Sequence, residues 1–244
     1  MLIISGMHSS GTSLVARYAQ HIGYHMGFDP EKWVSTFYPT YEDPQFQQCS
    51  MEILDSMKWN EGPPRYFPRD VAPPSDGLIQ KMRAILRRRR GEAWGFKEPA
   101  NCFTMGFWLP ELQRAGFRPA VLHVFRRPEE VINSMTRWRP ELNSHDAATH
   151  DRVEAWWRVY NMAVIDRYWE LRGTIPFAFV DVREVTALDA RLCAWLGRSY
   201  SPIAPQMNNG QLQEAPEVEL HPETVLIWNE LSTLMQETLI ANTA

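Results

Sequence analysis

Three short stretches of the chain carry residue types that can hold an anion and act on it. The first reads Gly6-Met7-His8-Ser9-Ser10-Gly11-Thr12-Ser13. Its two glycines let a backbone curl so that successive N–H groups point inward, and a helix N-terminus behind them adds partial positive charge. The spacing Gly6-x4-Gly11-x-Ser13 is that of a phosphate-binding loop, G-x-x-x-x-G-K-S/T, with Thr12 in the lysine position. The other two stretches are Lys97-Glu98-Pro99 and Arg126-Arg127-Pro128. A triphosphate enzyme needs the loop lysine to neutralise the β/γ-phosphates while Mg²⁺ sits on the Ser/Thr hydroxyl. Thr12 cannot do that, and no acidic residue follows a strand in a way that would hold Mg²⁺. A loop of glycines and hydroxyls suits a single phosphate group better.

These residues need elements to position them. Leu2-Ile3-Ile4 reads as a buried strand before the loop, and Leu14, Val15, Tyr18, Ala19 and Ile22 recur at helical spacing until Gly23. Trp94–Lys97 predicts a second strand and Ala120–Phe125 a third, the clearest in the chain. Pro128 with Glu129 and Glu130 behind it is a helix start. Pro176–Val180 predicts a fourth strand. Helices are expected over 46–57, 78–86, 104–115, 150–172, 188–196 and 221–241, with loops over 60–76, 139–149 and 199–219. Continuous apolar strands alternating with helices indicate α/β, a three-layer αβα arrangement around a central parallel sheet. Ligands in such sheets bind beyond the carboxyl ends of the strands, where all three polar stretches fall.

At 244 residues the chain has ample core, and residues 1–244 are read as one domain. A net charge of −4 argues against a general nucleic-acid binder. Arg87-Arg88-Arg89-Arg90 is better read as solvated cations in a last helical turn. Cys49, Cys102 and Cys193 are too few and too scattered for a disulfide framework or a metal knuckle. No stretch reaches membrane-spanning length, and a strand starting at residue 2 leaves no room for a signal peptide, so a cytoplasmic protein is expected. Trp156, Trp157, Tyr160 and Trp169, at helical spacing, are expected in the core.

In three motifs the sequence resembles sulfotransferases that use 3′-phosphoadenosine 5′-phosphosulfate, especially the bacterial type within the P-loop superfamily. Ser9-Ser10-Gly11-Thr12-Ser13-Leu14 is similar to that family's 5′-phosphosulfate loop. His123-Val124-Phe125-Arg126-Arg127-Pro128, with Ser134 eight residues after Arg126, is similar to its 3′-phosphate motif. Trp94-x-x-Lys97-x-Pro99 is similar to the segment between them. Weaker echoes lie at Tyr41–Pro44, Trp157–Asn161, Phe179–Asp181 and Leu196-Gly197; together they span residues 3–197 in the family's order.

The resemblance implies a P-loop-like sulfotransferase fold, with acceptor-side segments at about 24–91 and 135–172. It implies transfer of a sulfuryl group to a hydroxyl or amine of a small-molecule or carbohydrate acceptor, with no metal ligands. Gly6, His8, Ser9, Ser10, Gly11, Thr12 and Ser13 would hold the 5′-phosphate, and Arg126 and Ser134 the 3′-phosphate. Lys97 would stabilise the sulfuryl and bridging oxygens, and Glu42 would be the general base, with Glu98 and His8 as competitors. The aromatics Tyr24, Phe28, Trp33, Phe37, Tyr38 and Tyr41 would lie near the acceptor cleft. One departure stands out. Where the family has Lys or Arg, two residues before the second glycine, this chain has Ser9, so compensation is expected from Arg17, Lys97 or Arg127 unless Arg127 pairs with Glu130. Of a C-terminal glycine-rich loop only Asn208-Asn209-Gly210 offers an echo. A P-loop small-molecule kinase, or a catalytically impaired nucleotide-binding protein, remains the alternative.

Overall fold

Four short runs, buried except at Ala120, pair into one sheet because parallel strands covered on both faces can afford no exposed polar side chain in their interiors. In a computed structural model they are β1 (Leu2–Ser5), β2 (Gly95–Lys97), β3 (Ala120–Phe125) and β4 (Phe177–Asp181), all parallel, in the order β2-β1-β3-β4. The structure describes residues 1–27, 41–57, 73–89, 93–138, 147–202 and 218–240. Of the loops expected over 60–76, 139–149 and 199–219, residues 60–72, 139–146 and 203–217 lie outside these residues, as do Phe28, Trp33, Phe37, Tyr38, Arg90 and Asn208-Asn209-Gly210. Helices flank the sheet: α1 (Thr12–His21), α2 (Pro44–Ser56), α3 (Asp76–Arg87), α4 (Asn101–Arg114), α5 (Pro128–Trp138), α6 (Ala147–Leu171), α7 (Asp189–Trp195) and α8 (Pro222–Met235), the last continuing as a π-helical turn, Gln236–Ile240. This is the expected α/β arrangement. Among the described residues no helix is long and apolar enough to cross a membrane.

The register brings the strand ends to one edge. Ile4 lies level with Lys97, Ser5 with His123, and Phe125 with Asp181. Helix α1 starts at Thr12, two residues earlier than its apolar periodicity suggests, so Thr12 and Ser13 belong to its first turn. Helices α4 and α6 also start about three residues earlier than expected, at Asn101 and Ala147.

Helix α2 is set by an aromatic stack. Phe46 lies 4.2 Å from the Phe96 ring on β2 and 4.7 Å from Trp108 on α4, centroid to centroid. Asp43 caps α2 by accepting the Gln45 N–H at 2.9 Å, and Pro44 occupies the first helical position, where its missing N–H costs nothing. The carboxylate of Asp43 also pairs with Arg89. That corrects part of the arginine-run reading: Arg87 and Arg88 are solvated, but Arg89 ties the end of α3 to the start of α2. Trp157 and Tyr160 are core residues as expected and Trp156 is half-buried. Trp169 is not in the core: it is 47% exposed, with the Arg172 guanidinium 4.8 Å from its ring. Helical spacing alone does not distinguish the inner from the outer face of a 25-residue helix.

Asp43→Ala removes a helix cap and leaves the half-buried Arg89 without its carboxylate. It is expected to lower stability by roughly 1–3 kcal/mol, read as a fall in the denaturation midpoint at unchanged slope.

Candidate active site

The loop after β1 turns on backbone that only glycine tolerates well. Gly6 has φ 151°, and a Cβ there would come within 2.3 Å of the Val124 carbonyl oxygen and 2.7 Å of the Thr12 methyl. Gly11 has φ 85°, and a Cβ there would sit 2.3 Å from Val182 Cγ2. Ser9 is also left-handed, at φ 66°, which a non-glycine residue adopts only under constraint. Its carbonyl supplies one, accepting from Arg126 Nη1 at 3.2 Å. Ser10 and Thr12 are buried, His8, Ser9 and Ser13 half-buried, and the His8 ring sits edge-on to Tyr160 at 6.3 Å. The first turn of α1 carries no acidic residue and no side-chain cap, leaving its N-terminal amides and dipole facing the loop. The Gly6 amide is directed elsewhere, to the buried Cys102 thiol, whose ionisation burial suppresses.

Arg126, expected at a 3′-phosphate, is held on several sides. Its Nε donates to Glu130 Oε2 at 2.7 Å, its Nη1 reaches the loop, and its carbonyl accepts from Trp157 Nε1 at 3.0 Å. Glu130 also pairs with Arg183, not with Arg127, which is exposed. Ser134 lies on α5 one turn beyond Glu130 and is half-buried.

A fully buried polar chain runs behind the loop. Asn161 Nδ2 donates to the Trp157 carbonyl at 2.7 Å, so its Oδ1 faces His123 Nε2 at 2.9 Å as acceptor. His123 Nδ1 must then accept from Ser5 Oγ at 3.1 Å. Burial pushes His123 down to about 4, so the ring is neutral and this pattern holds at physiological pH. Ser5 to Trp157 to Arg126 to Ser9 is thus a closed circuit around the loop. No periodicity in the sequence signals the pairing; Ser9, His123, Arg126, Trp157 and Asn161 each stand in one of the motifs above, but Ser5 does not.

On the other side, Lys97 Nζ donates to Glu42 Oε1 at 2.7 Å, joining the residue expected at the sulfuryl and bridging oxygens to the expected general base. Lys97 is 3% exposed, and burial lowers its pKa while Glu42 opposes that. Gln47 holds the other Glu42 oxygen at 3.1 Å. Glu98, the next residue, is also buried, and its carboxyl is pushed up to about 8 by desolvation, against the Ser50 hydroxyl that bonds it; the Glu42 charge raises it further and Lys97 opposes. Glu98 is therefore a neutral acid at pH 7. Of the three cations proposed to replace the one missing at Ser9, Arg17 is half-buried near Tyr41, Lys97 is paired with Glu42, and Arg127 faces solvent. Among the described residues no group of three or more His, Cys, Asp or Glu is gathered as a metal site.

No protein-family model matches this chain, and no curated protein does. Among solved structures its fold is similar to the sulfotransferase domain from the Synechococcus PCC 7002 olefin synthase, with TM-score 0.55 and 15% identity over 95% of this chain and 94% of that one. It is equally similar to the sulfotransferase domain from the curacin biosynthetic pathway, with TM-score 0.55 and 13% identity over 95% and 97% of the two chains. At such identities the likeness is one of fold.

Glu98 gives the site a pH signature. Its carboxyl titrates higher folded than unfolded, so the folded state holds the extra proton between about pH 4.5 and 8, and stability falls as pH rises through that window. Glu98→Gln keeps the bond to Ser50 and removes the titration. The variant is expected to match wild type near pH 4.5 and to exceed it by on the order of 4 kcal/mol near pH 8.5, measured by denaturant melts at the two pH values. Equal stabilities at both would show that Glu98 is not desolvated.

Proposed function

We propose that this chain is a sulfotransferase that moves a sulfuryl group from 3′-phosphoadenosine 5′-phosphosulfate to a hydroxyl or amine of a small-molecule or carbohydrate acceptor. The observation that carries this reading is the placement, at adjacent strand ends, of a lysine-free glycine cradle and a buried Lys97–Glu42 pair. The similarity of the fold to sulfotransferase domains supports it.

The residues fit such a co-substrate. A side chain at Gly6 or Gly11 would collide with Val124 or Val182 and spoil the loop, and the uncapped first turn of α1 offers amides to a 5′-phosphate. The co-substrate supplies an activated sulfur whose bond to the 5′-phosphate oxygen breaks as the acceptor oxygen or nitrogen bonds to sulfur. Glu42 takes the acceptor's proton; Gln47 and Lys97 fix its carboxylate. Lys97 carries positive charge, in a site that largely excludes water, to oxygens whose charge changes during transfer. Its release from Glu42 as that carboxylate is protonated leaves the ammonium available to them. Glu98, protonated, adds no negative charge beside the sulfuryl oxygens. A kinase would lack the loop cation that neutralises a triphosphate, since Thr12 holds that position.

Adenosine 3′,5′-bisphosphate should raise the melting temperature without Mg²⁺, and ATP with Mg²⁺ should not. The opposite result would sink the sulfotransferase reading in favour of a kinase. With an acceptor in hand, Lys97→Ala is expected to lower kcat by roughly 10²–10³-fold and Glu42→Gln by roughly 10²–10⁴-fold, with bisphosphate affinity little changed by Glu42→Gln.

A further inference from the structure

Arg183, two residues beyond β4, belongs to no motif, yet it closes the ion chain Arg126–Glu130–Arg183 at the sheet edge where the loop lies. We propose that Arg183, and not Arg126 alone, is the cation that meets a second phosphate on the nucleotide co-substrate, so that it sets the preference for a 3′-phosphorylated nucleotide over a 5′-monophosphate. The proposal rests on the sulfotransferase reading given above.

Exposure separates the two arginines. The Arg126 side chain is 6% exposed and already spans Glu130 and the Ser9 carbonyl. Drawing it away would leave Glu130 short of a buried counter-ion and the left-handed Ser9 without its tether. The Arg183 side chain is 34% exposed and shares the same carboxylate. It can exchange Glu130 for a phosphate while Arg126 stays on Glu130, so no buried charge is uncovered.

Position agrees with exposure. The Arg183 amide donates to Asp181 Oδ1 at 3.0 Å, and the Val182 amide to the Phe125 carbonyl at 2.9 Å, which anchor the segment to the ends of β3 and β4. Val182 packs against Gly11, where an added Cβ would lie 2.3 Å from its methyl. Arg183 is therefore one residue from the cradle wall. Through Glu130 it is also tied to α5, whose next turn presents Ser134. A planar guanidinium there offers paired N–H donors to phosphate oxygens, a fit that rests on its geometry and partial exposure.

The test is isothermal titration of the full chain with adenosine 3′,5′-bisphosphate and with adenosine 5′-monophosphate at one fixed salt concentration. Wild type is expected to prefer the bisphosphate. Arg183→Gln should weaken bisphosphate binding by about tenfold or more while leaving the monophosphate within about twofold. Arg183→Lys, which keeps the charge but loses the planar fork, should recover part of the loss and confirms that a folded variant is being read. Unchanged bisphosphate affinity in Arg183→Gln overturns the proposal, and so does an equal loss for both nucleotides, which would place the residue at the 5′-phosphate or in the fold. If wild type binds neither nucleotide, or both alike, the underlying reading fails and the proposal falls with it.

Discussion

The site depends on one buried arginine. Arg126 leaves the end of β3 with its carbonyl held by Trp157, its Nε by Glu130 and its Nη1 by the Ser9 carbonyl. The last of these bonds makes the loop conformation tenable. Ser9 sits at positive φ, a state that costs a non-glycine residue on the order of 1 kcal/mol, and a charge-assisted bond to its carbonyl offsets that. Behind it, Ser5, His123 and Asn161 complete a circuit whose polar atoms are paired without water. Buried polar networks of this kind are tolerated only when fully satisfied, and then they specify one arrangement. The neutrality of His123 is part of that condition, because a proton on Nδ1 would turn the acceptor of the Ser5 hydroxyl into a donor.

The opposite wall of the site is organised by packing. The stack of Phe46 on Phe96 and Trp108 fixes α2 against β2 and α4, and Glu42, just before α2, is thereby brought onto Lys97. Two ions out of water are costly unless their geometry is good and their remaining oxygens are bonded. Lys97 and Glu42 meet that condition through a 2.7 Å contact and Gln47. Glu98, next in the chain, has no cation to itself and stays protonated instead, which is the cheaper solution for a third charge in one small volume.

The two walls therefore use charge differently. Around the glycine loop two arginines flank Glu130 and the amides of α1 face the loop. At the end of β2 Lys97 pairs with Glu42, and Glu98, its carboxyl pushed up by burial, lies beside Lys97 in the chain.

Much of the architecture was legible in the residues. Continuous apolar strands, Gly23, Gly116 and Gly197 after helices, and Pro128 at a helix start marked the alternation of strand and helix, because those signals are local and each residue type has its own backbone preference. The glycines of the loop were legible for the same reason. The early starts of α1, α4 and α6 were not, since one extra turn adds too little to an apolar period to fix a boundary, and one-sided exposure at Trp169 escaped a spacing argument that sees periodicity but not what faces it. What the tertiary structure alone decided was pairing: Glu130 with Arg126 and Arg183, Arg89 with Asp43, Lys97 with Glu42, and Ser5 with His123 and Asn161. Those partners stand up to 118 positions apart, as Ser5 and His123 do. Local preference shapes an element, but only the sheet register and the packing of helices upon it bring such distant side chains within hydrogen-bond reach.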